Sequence, residues 1–155
     1  MAGELKTQGT QLWVVNGATT SLEVGNILSF NPPSPASDEI DVTNLSSTAK
    51  EFLQGLRDYG EGSFEINFSA SAAHQALVTD FNAGTTREWL IGFGDATTAA
   101  PTVSGSAFGA PATTRTWVKF TGFIKSISLQ GGTNSVVKGT LVVRNSGTPT
   151  FTYKA

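Results

Sequence analysis

The strongest structural signal in this 155-residue chain is the segment Glu61-Gly-Ser-Phe-Glu-Ile-Asn-Phe-Ser-Ala70. Apolar and polar side chains alternate along it, which is the period of a strand with one buried side and one solvent-facing side. The apolar members are Phe64, Ile66, Phe68 and Ala70, and the polar members are Ser63, Glu65, Asn67 and Ser69. The segment predicts a strand of a sheet that covers a core with one face only.

The next segment, Ser71-Ala-Ala-His-Gln-Ala-Leu-Val-Thr-Asp-Phe-Asn-Ala-Gly84, changes to the helical period. Ala73, Leu77 and Phe81 recur every four residues and form an apolar stripe. Ser71 is a favourable residue for the helix start, and Gly84 is favourable for ending the helix in the left-handed conformation. The segment predicts an amphipathic helix of about three turns that packs on the sheet.

Further β-prone runs lie on both sides of this strand and helix, and residues 94–114 are a weakly charged segment expected to form a surface loop or insertion. A bulge is expected at Gly122, with Phe123 and Val137 on buried faces. The runs are residues 12–15, 39–42, 87–93, 117–129, 135–145 and 150–154. Together they predict a mainly β fold, an antiparallel β-sandwich or open barrel with one flanking α-helix, in a single domain of residues 1–155.

One long excursion, Asn44–Gly60, separates two of these strands. Thr48 and Glu51 fit a capping box, and Phe52 and Leu56 share a helical face, so a helix of about one or two turns is expected. A long connection with its own apolar side chains is usually functional in a compact domain.

The composition sets aside several classes of protein. Only 14% of the residues are charged, 39% are hydrophobic, and none is cysteine. We find no apolar run of about 18 residues that would span a membrane, and the first residues lack the basic-then-apolar order of a secretory signal. The absence of cysteine excludes disulfides and cysteine-based zinc sites. A net charge of −2 argues against a dedicated nucleic-acid binder.

The charges are distributed unevenly along the chain. Residues 1–80 carry ten acids and three bases, a net of −7, whereas residues 81–155 carry two acids and seven bases, a net of +5. Two explanations stay open: the halves neutralise each other within one fold, or they build faces that meet on neighbouring copies.

Patterns that carry chemistry are scarce. The single histidine, His74, lies on the predicted helix without a second histidine four residues away. The glycine pairs at 60–62 and 92–94 lack the third glycine of a dinucleotide fingerprint, and the acids at 38–41 lack the remainder of a calcium loop. The sequence therefore predicts no catalytic, cofactor-binding or metal-binding residue, and favours a binding or structural protein whose function is assembly.

The run Ile40-Asp-Val-Thr-Asn-Leu-Ser-Ser-Thr-Ala-Lys-Glu-Phe-Leu-Gln-Gly-Leu-Arg-Asp-Tyr-Gly-Glu61 resembles the signature segment of one known family. That family is the major tail tube proteins of bacteriophages with long, non-contractile tails, the lambda-like siphophages. Further similar stretches follow in the same order at residues 62–68, 78–84, 87–93, 120–127 and 138–149. The segment 94–114 is longer than the resemblance leads us to expect.

The resemblance implies a structural virion protein without enzymatic activity or cofactors. Its subunits would form hexameric rings that stack head to tail, on a tail tip and along a tape-measure protein, up to a tail terminator. DNA would pass through the lumen without specific binding, and nothing would insert into a membrane. Assembly would take place in the cytoplasm of the bacterial host, and the product would be the virion tail.

The resemblance also implies two assembly surfaces. The excursion 44–60 would contact the adjacent ring, through Ser47, Thr48, Lys50, Glu51, Phe52, Leu53, Leu56, Arg57 and Asp58. The alternative is that its apolar side chains fold back on their own core. The row of Glu61, Ser63, Glu65, Asn67 and Ser69 is the candidate lining of the lumen, and the alternative is a solvent or inter-subunit face. An acidic lining would repel DNA phosphates.

Two other functions remain open at this point. The first is the inner tube of a contractile tail or of a type VI secretion-like system, which is a similar ring inside a sheath. The second is an unrelated β-sandwich that binds carbohydrate, which would require clustered exposed aromatic side chains.

Overall fold

The computed structural model describes residues 4–96, 100–110 and 113–155. Within these residues the chain forms twelve strands and one helix. The strands are β1 (Gln11–Val15), β2 (Ser21–Val24), β3 (Ile27–Asn31), β4 (Ala36–Asp41), β5 (Phe52–Asp58), β6 (Glu61–Asn67), β7 (Thr86–Gly92), β8 (Val103–Ser104), β9 (Ala107–Phe108), β10 (Trp117–Gln130), β11 (Lys138–Asn145) and β12 (Thr150–Thr152). The helix is α1 (Ala72–Ala83).

Eight strands build one antiparallel sheet in the order β2-β1-β7-β10-β11-β6-β3, with β12 paired to β10. The 14-residue strand β10 joins the two halves of this sheet. Its first part, Trp117–Phe123, pairs with β7, and its second part, Gly122–Gln130, pairs with β11. The sheet curls around a core and stays open between β2 and β3 within the described residues. This confirms the predicted antiparallel β fold with one flanking helix.

The core lies on the concave side of the sheet, where both halves contribute apolar side chains. The strand alternation predicted for β6 is confirmed at Phe64 and Ile66, which are buried. Leu141 and Val143 on the neighbouring β11 are buried beside them. The remaining buried members are Leu12, Val14, Val24, Leu77, Trp89, Ile91, Val118, Phe120 and Ile124. Burial of these side chains is the main favourable term that holds the two halves together.

Helix α1 begins and ends where the sequence predicts. The Ser71 side chain accepts a hydrogen bond from the backbone N–H of His74, and Gly84 ends the helix with φ of 64°. Ala73 and Leu77 face the core, whereas Phe81 is 41% exposed, contrary to the expected apolar stripe. The next inward position is occupied by Asp80, whose carboxylate pairs with Arg87 at 3.0 Å.

His74 has a structural function in this fold. Its side chain is buried, and its ring stacks on Phe68 with a centroid distance of 5.3 Å. The backbone N–H of Ser69 donates to Nδ1 at 2.9 Å, so Nε2 carries the hydrogen and directs it to the Gly25 carbonyl oxygen at 3.3 Å. The imidazole therefore ties the helix start to the turn between β2 and β3.

The bulge expected at Gly122 lies between Ile124 and Ser126 instead. Gly122 is a point of close backbone approach, because a Cβ there would lie 2.3 Å from the Arg144 carbonyl oxygen. Since the alternation continues past Gly122, Ile124 enters the core and Phe123, expected to be buried, lies on the outer side. The expected bulge at Gly122 and the expected burial of Phe123 were therefore both wrong, because the bulge lies further along β10.

The segment 94–114 differs from the expected surface loop. Strands β8 and β9 form a small hairpin that places Val103 and the buried Phe108 on the convex face of the sheet. There they cover Trp13, Val15, Leu90 and Trp117. The segment therefore builds a second, smaller core. Residues 97–99 and 111–112 of the expected loop lie outside the described residues.

Arg115 is fully buried next to this second core. Its guanidinium donates to the carbonyl oxygens of Gly9 at 2.8 Å and Gly92 at 2.7 Å, and to Gln11 Oε1 at 2.6 Å. It also lies 5.0 Å from the Trp117 ring centroid. Burial lowers the pKa of this guanidinium from its ordinary value, and the carboxylates of Asp95 and Glu23 oppose that shift.

Candidate assembly site

Strands β4 and β5 form a two-stranded hairpin, residues 36–58, which we call the arm. In the arm Ile40 pairs with Leu53 and Asp41 pairs with Phe52. The arm continues the β3–β6 pair of the main sheet, to which it is connected by residues 32–35 and 59–60. The prolines at 32, 33 and 35 have no backbone N–H, so the ladder of hydrogen bonds stops at this junction.

The prediction of a short helix within residues 44–60 was wrong, because backbone groups of this segment form hydrogen bonds across the hairpin instead. The N–H of Glu51 donates to Thr43 Oγ1 at 3.0 Å, and the N–H of Val42 donates to the Glu51 carbonyl oxygen at 2.9 Å. The Asn44 side chain accepts from the N–H of Ser46 at 2.9 Å and starts the turn. These local bonds compete successfully with a capping box.

The arm exposes a series of large apolar side chains. Leu56 is 89% exposed and Phe52 is 50% exposed. Ile40, Val42, Leu45 and Leu53 are also exposed. The alternative in which these side chains fold back on their own core is therefore not the arrangement of this structure. Phe52 and Leu53 are adjacent on β5 and lie on opposite faces of the arm, so both faces present apolar side chains for an interaction.

The residues expected to contact a neighbouring ring fall into two groups. Ser47, Thr48, Lys50 and Glu51 lie in or beside the turn at the end of the arm, and Phe52, Leu53, Leu56, Arg57 and Asp58 lie on β5. Arg57 lies near Gln54, with 3.4 Å between Nη2 and Oε1. Glu39 and Asp41 are two residues apart on β4 and share one face, and the acids at 38, 39 and 41 form no metal-binding group among the described residues.

A network of charges holds the base of the arm. Arg144 Nη2 on β11 donates to both carboxylate oxygens of Asp58, at 2.9 and 2.8 Å. The N–H of Gly60 donates to Asp58 Oδ1 at 2.8 Å, and Glu61 pairs with Lys125. The Gly60 hydrogen bond, followed by the Arg144 hydrogen bond, lowers the pKa of Asp58 from its ordinary value. The network fixes the direction in which the arm leaves the sheet.

The polar row predicted from the sequence lies on the convex side of β6. Cross-strand bonds show that its neighbours on β3 share this side: Ser29 Oγ donates to Glu65 Oε2 at 3.1 Å, and Asn31 Nδ2 donates to Ser63 Oγ at 3.2 Å. Ser69 does not belong to the row, because β6 ends at Asn67 and the Ser69 N–H donates a hydrogen bond to Nδ1 of the buried His74. We call the convex side of β3, β6, β11 and the second half of β10 the polar face.

The charge of the polar face differs from the expected acidic lining. Glu61 and Glu65 are its acids, whereas Lys125, Lys138 and Arg144 are its bases. Glu61 interacts with Lys125 and lies 3.9 Å from Arg144, so the acid nearest the arm is neutralised locally. The uncharged polar side chains of the face include Ser29, Asn31, Ser63, Asn67 and Thr140, and Phe123 and Val142 also lie on it. The face is close to neutral.

The turn between β10 and β11 forms a further exposed surface that the sequence did not single out. We call residues 129–138 the tip. Leu129 is 55% exposed, Val136 is 57% exposed, and Val137, expected on a buried face, is also exposed. In the sequence, this surface was indicated only by the apolar residues on both sides of Gly131-Gly132. The alternation along the predicted hairpin placed Val137 on the buried side instead.

The uneven charge along the chain is neutralised in part within the fold. Asp80 pairs with Arg87, Glu61 pairs with Lys125, and Asp58 pairs with Arg144. Each pair joins an acid of residues 1–80 to a base of residues 81–155.

Among the described residues, no helix is long and apolar enough to cross a membrane.

The described residues therefore place the chain in a class, the antiparallel β proteins with one flanking helix, and give it two exposed apolar surfaces, the arm and the tip. Comparison with known proteins gives the family. The family model described as "Phage tail tube, TTP, lambda-like" matches residues 3–155. The chain belongs to this family. It is therefore a structural subunit of a phage tail tube, a component of the virion tail that assembles with copies of itself.

Individual proteins agree with this assignment. The chain is 31% identical to "Structural protein 3" of Pseudomonas phage PAJU2 over 157 residues, which covers 97% of this chain and 95% of that protein. Its fold is similar to a chain in the tail of an empty gene transfer agent particle, with a TM-score of 0.64 and 20% identity over 92% of this chain and 95% of that one. The SPP1 tail tube gives a TM-score of 0.67 at 9% identity, over 97% and 80%.

Proposed function

We propose that this chain forms hexameric rings that stack head to tail into a hollow tube, through which DNA is delivered to the host cell. The observation that carries the proposal is the arm, an extended hairpin with exposed apolar side chains on a sheet whose outer side is polar and nearly neutral. The similar gene transfer agent tail, refined with C6 symmetry, supports the ring number.

In this proposal the arm is the inter-ring contact. Ser47, Thr48, Lys50, Glu51, Phe52, Leu53, Leu56, Arg57 and Asp58 reach the adjacent ring, and the apolar members are buried there. Burial of exposed apolar area supplies the free energy of stacking at about 25 cal/mol per Å². Each ring presents the arm of every subunit, so the contact is repeated around the ring.

The polar face supports a lumen-facing function for Glu61, Ser63, Glu65 and Asn67, whereas Ser69 no longer belongs to this surface. A basic lining would bind DNA through counterion release, and a strongly acidic lining would oppose its entry. A nearly neutral lining rich in small hydroxyl and amide side chains does neither. Such a surface suits a conduit that transports DNA without specific binding.

The remaining parts of the proposal concern the assembly as a whole. Residues 1–155 act as one tail-tube domain, without catalysis. The partners are further copies of the chain, a tape-measure protein inside the growing tube, a tail tip protein below it and a tail terminator above it. Assembly takes place in the cytoplasm of the bacterial host.

Electron microscopy of concentrated purified protein tests the proposal. We expect hollow tubes of stacked rings with sixfold symmetry in the averaged reconstruction, and a nearly neutral inner surface formed by the polar face. A protein that stays monomeric at high concentration, or rings of another symmetry, would contradict the hexameric tube. A strongly basic inner surface would contradict the conduit argument.

The related tube inside a contractile sheath is a second candidate. The fold is similar to a chain of the anti-feeding prophage baseplate, with a TM-score of 0.65 and 11% identity over 99% of this chain and 98% of that one. The lambda-like family assignment favours the tube without a sheath. Co-purification of a sheath protein on tubes from infected cells would favour the second candidate.

A further inference from the structure

The arm and the tip lie at opposite ends of the same sheet. Strand β6 starts at Glu61, next to the arm, and ends at Asn67, whose partner on β11 is Lys138 at the tip. Strand β11 runs in the opposite direction and brings Arg144 to the arm end. A copy displaced along these strands therefore brings its tip toward the arm of the first copy.

The lengths of the two elements are compatible with such a contact. Strands β5 and β6 contain seven residues each, which corresponds to about 24 Å per strand. The two strands of the arm are thus about as long as β6, the strand that follows the arm. The arm is long enough to overlap the end of a following copy.

The tip has the surface that an apolar hairpin needs. Leu129, Val136 and Val137 are exposed there. A groove of about 310 Å³ lies beside them, lined by Glu65, Ser128, Leu129, Gln130, Lys138 and Thr140.

The charges favour a contact between arm and tip over a contact between two arms. The arm, residues 36–58, carries the acids Asp38, Glu39, Asp41, Glu51 and Asp58 and the bases Lys50 and Arg57, a net of −3. The tip contains one lysine, Lys138, and no acid, and Glu65 of β6 lines the groove beside it. Two arms therefore repel each other, whereas the nearly neutral tip does not repel an arm.

We propose that the tip of one copy receives the arm of a second copy, in a head-to-tail contact that joins consecutive rings. The inference deepens the proposed function, on which it rests, by naming the acceptor surface for the arm. The contact is heterologous, because different surfaces of the two copies meet, so it extends without limit along the tube axis.

Engineered cysteines test the contact directly, because the natural chain contains no cysteine. An arm variant, Leu53→Cys, is mixed with a tip variant, Val136→Cys, that carries a mass tag, and the mixture is oxidised under assembly conditions. We expect the mixed disulfide dimer to exceed both like-with-like dimers at least tenfold. The matched control replaces the tip variant by Val78→Cys, an exposed valine on α1, and should give no such excess.

The outcomes separate this contact from the proposed function. Sixfold stacked rings without the mixed dimer would overturn the arm-to-tip contact and leave the tube intact. The mixed dimer in straight filaments without rings would support the contact and contradict the hexameric tube. Failure to crosslink in a mixture that also forms no tubes would overturn both.

A second comparison keeps the test independent of disulfide geometry. Val136→Asp places a carboxylate at the tip, and Val78→Asp places one at the control position on α1. We expect the tip variant to remain folded and to polymerise at least tenfold less readily, while the control variant polymerises like the natural chain. Equal polymerisation of the two variants would remove the tip from the interface.

Discussion

The apolar side chains of the arm give the sharpest quantitative prediction, for the double variant Phe52→Ala with Leu56→Ala. Full burial of a large apolar side chain contributes about 1.5–3 kcal/mol. Leu56 is 89% exposed, so nearly all of that range is available on docking, and Phe52, at 50%, has about half available. The variant should therefore weaken each arm contact by roughly 2–4 kcal/mol.

This loss should weaken assembly and should leave the free energy of unfolding of the monomer nearly unchanged. A change of about 2–4 kcal/mol corresponds to a roughly 30- to 700-fold weaker contact. The critical concentration for tube formation, measured by sedimentation and light scattering, should rise by at least the lower factor. Urea unfolding of the monomer should shift by no more than about 0.5 kcal/mol, because both side chains are exposed before assembly.

The helix offers a matched control, because Val78 and Phe81 are exposed by 37% and 41% without belonging to the arm. The variant Val78→Ala with Phe81→Ala removes similar apolar groups and should leave the critical concentration unchanged. An unchanged critical concentration for the arm variant, or an equal rise for both variants, would show that Phe52 and Leu56 are not buried between copies. A monomer that unfolds readily would show that the arm side chains support its own fold.

Three further predictions concern the stability of the monomer. Asp58→Asn should lower the stability of the fold at neutral pH, because the hydrogen bonds from the Gly60 N–H and from Arg144 hold the pKa of Asp58 below its ordinary value. This stability difference should be fully present above the unfolded pKa of about 3.9 and should vanish as the pH falls through the lower folded pKa. Gly92→Ala should destabilise by about 1–3 kcal/mol, because its Cβ would lie 2.8 Å from the guanidinium carbon of Arg115. Arg115→Met should cost about 3–5 kcal/mol, because it leaves buried carbonyl oxygens without donors.

Urea titrations of each variant check these predictions, the first as a function of pH. Gly25→Ala is the control for Gly92→Ala, because a Cβ at Gly25 would meet no atom within 4 Å. An equal change in stability at both glycines would contradict the crowding at Gly92, because without crowding the lower entropy of the unfolded chain makes Gly→Ala slightly stabilising. For Asp58, a stability difference that does not shrink as the pH falls below the unfolded pKa of about 3.9 would contradict the contribution of the carboxylate charge. For Arg115→Met, a change below about 1 kcal/mol would mean that water replaces the guanidinium.

Local patterns were sufficient for the regular part of this fold. The alternation at Phe64 and Ile66 and the caps at Ser71 and Gly84 predicted β6 and α1, because one face of each element is buried against a single core. In such elements the side-chain period reports burial directly. The antiparallel class followed from the same periodicity.

The arm was less predictable. The capping-box residues Thr48 and Glu51 favour a helix locally, but pairing of Ile40 with Leu53 and of Asp41 with Phe52 satisfies the same backbone in a hairpin. Intrinsic preference is weak compared with a ladder of hydrogen bonds to a strand more than ten residues away. The resemblance identified the segment as an assembly element, whereas its conformation required the tertiary structure.

The sequence alone was sufficient for the family, the antiparallel β architecture, the single helix and the candidate residues of the arm and of the polar row. Only the tertiary structure decided that Lys125 and Arg144 neutralise Glu61, that Ser69 leaves the polar row, and that the tip lies at the end of the sheet opposite the arm. The two groups of features differ in the distance along the chain between the residues that produce them. Period and capping act over a few residues, whereas charge balance and the position of a surface depend on which distant strands become neighbours.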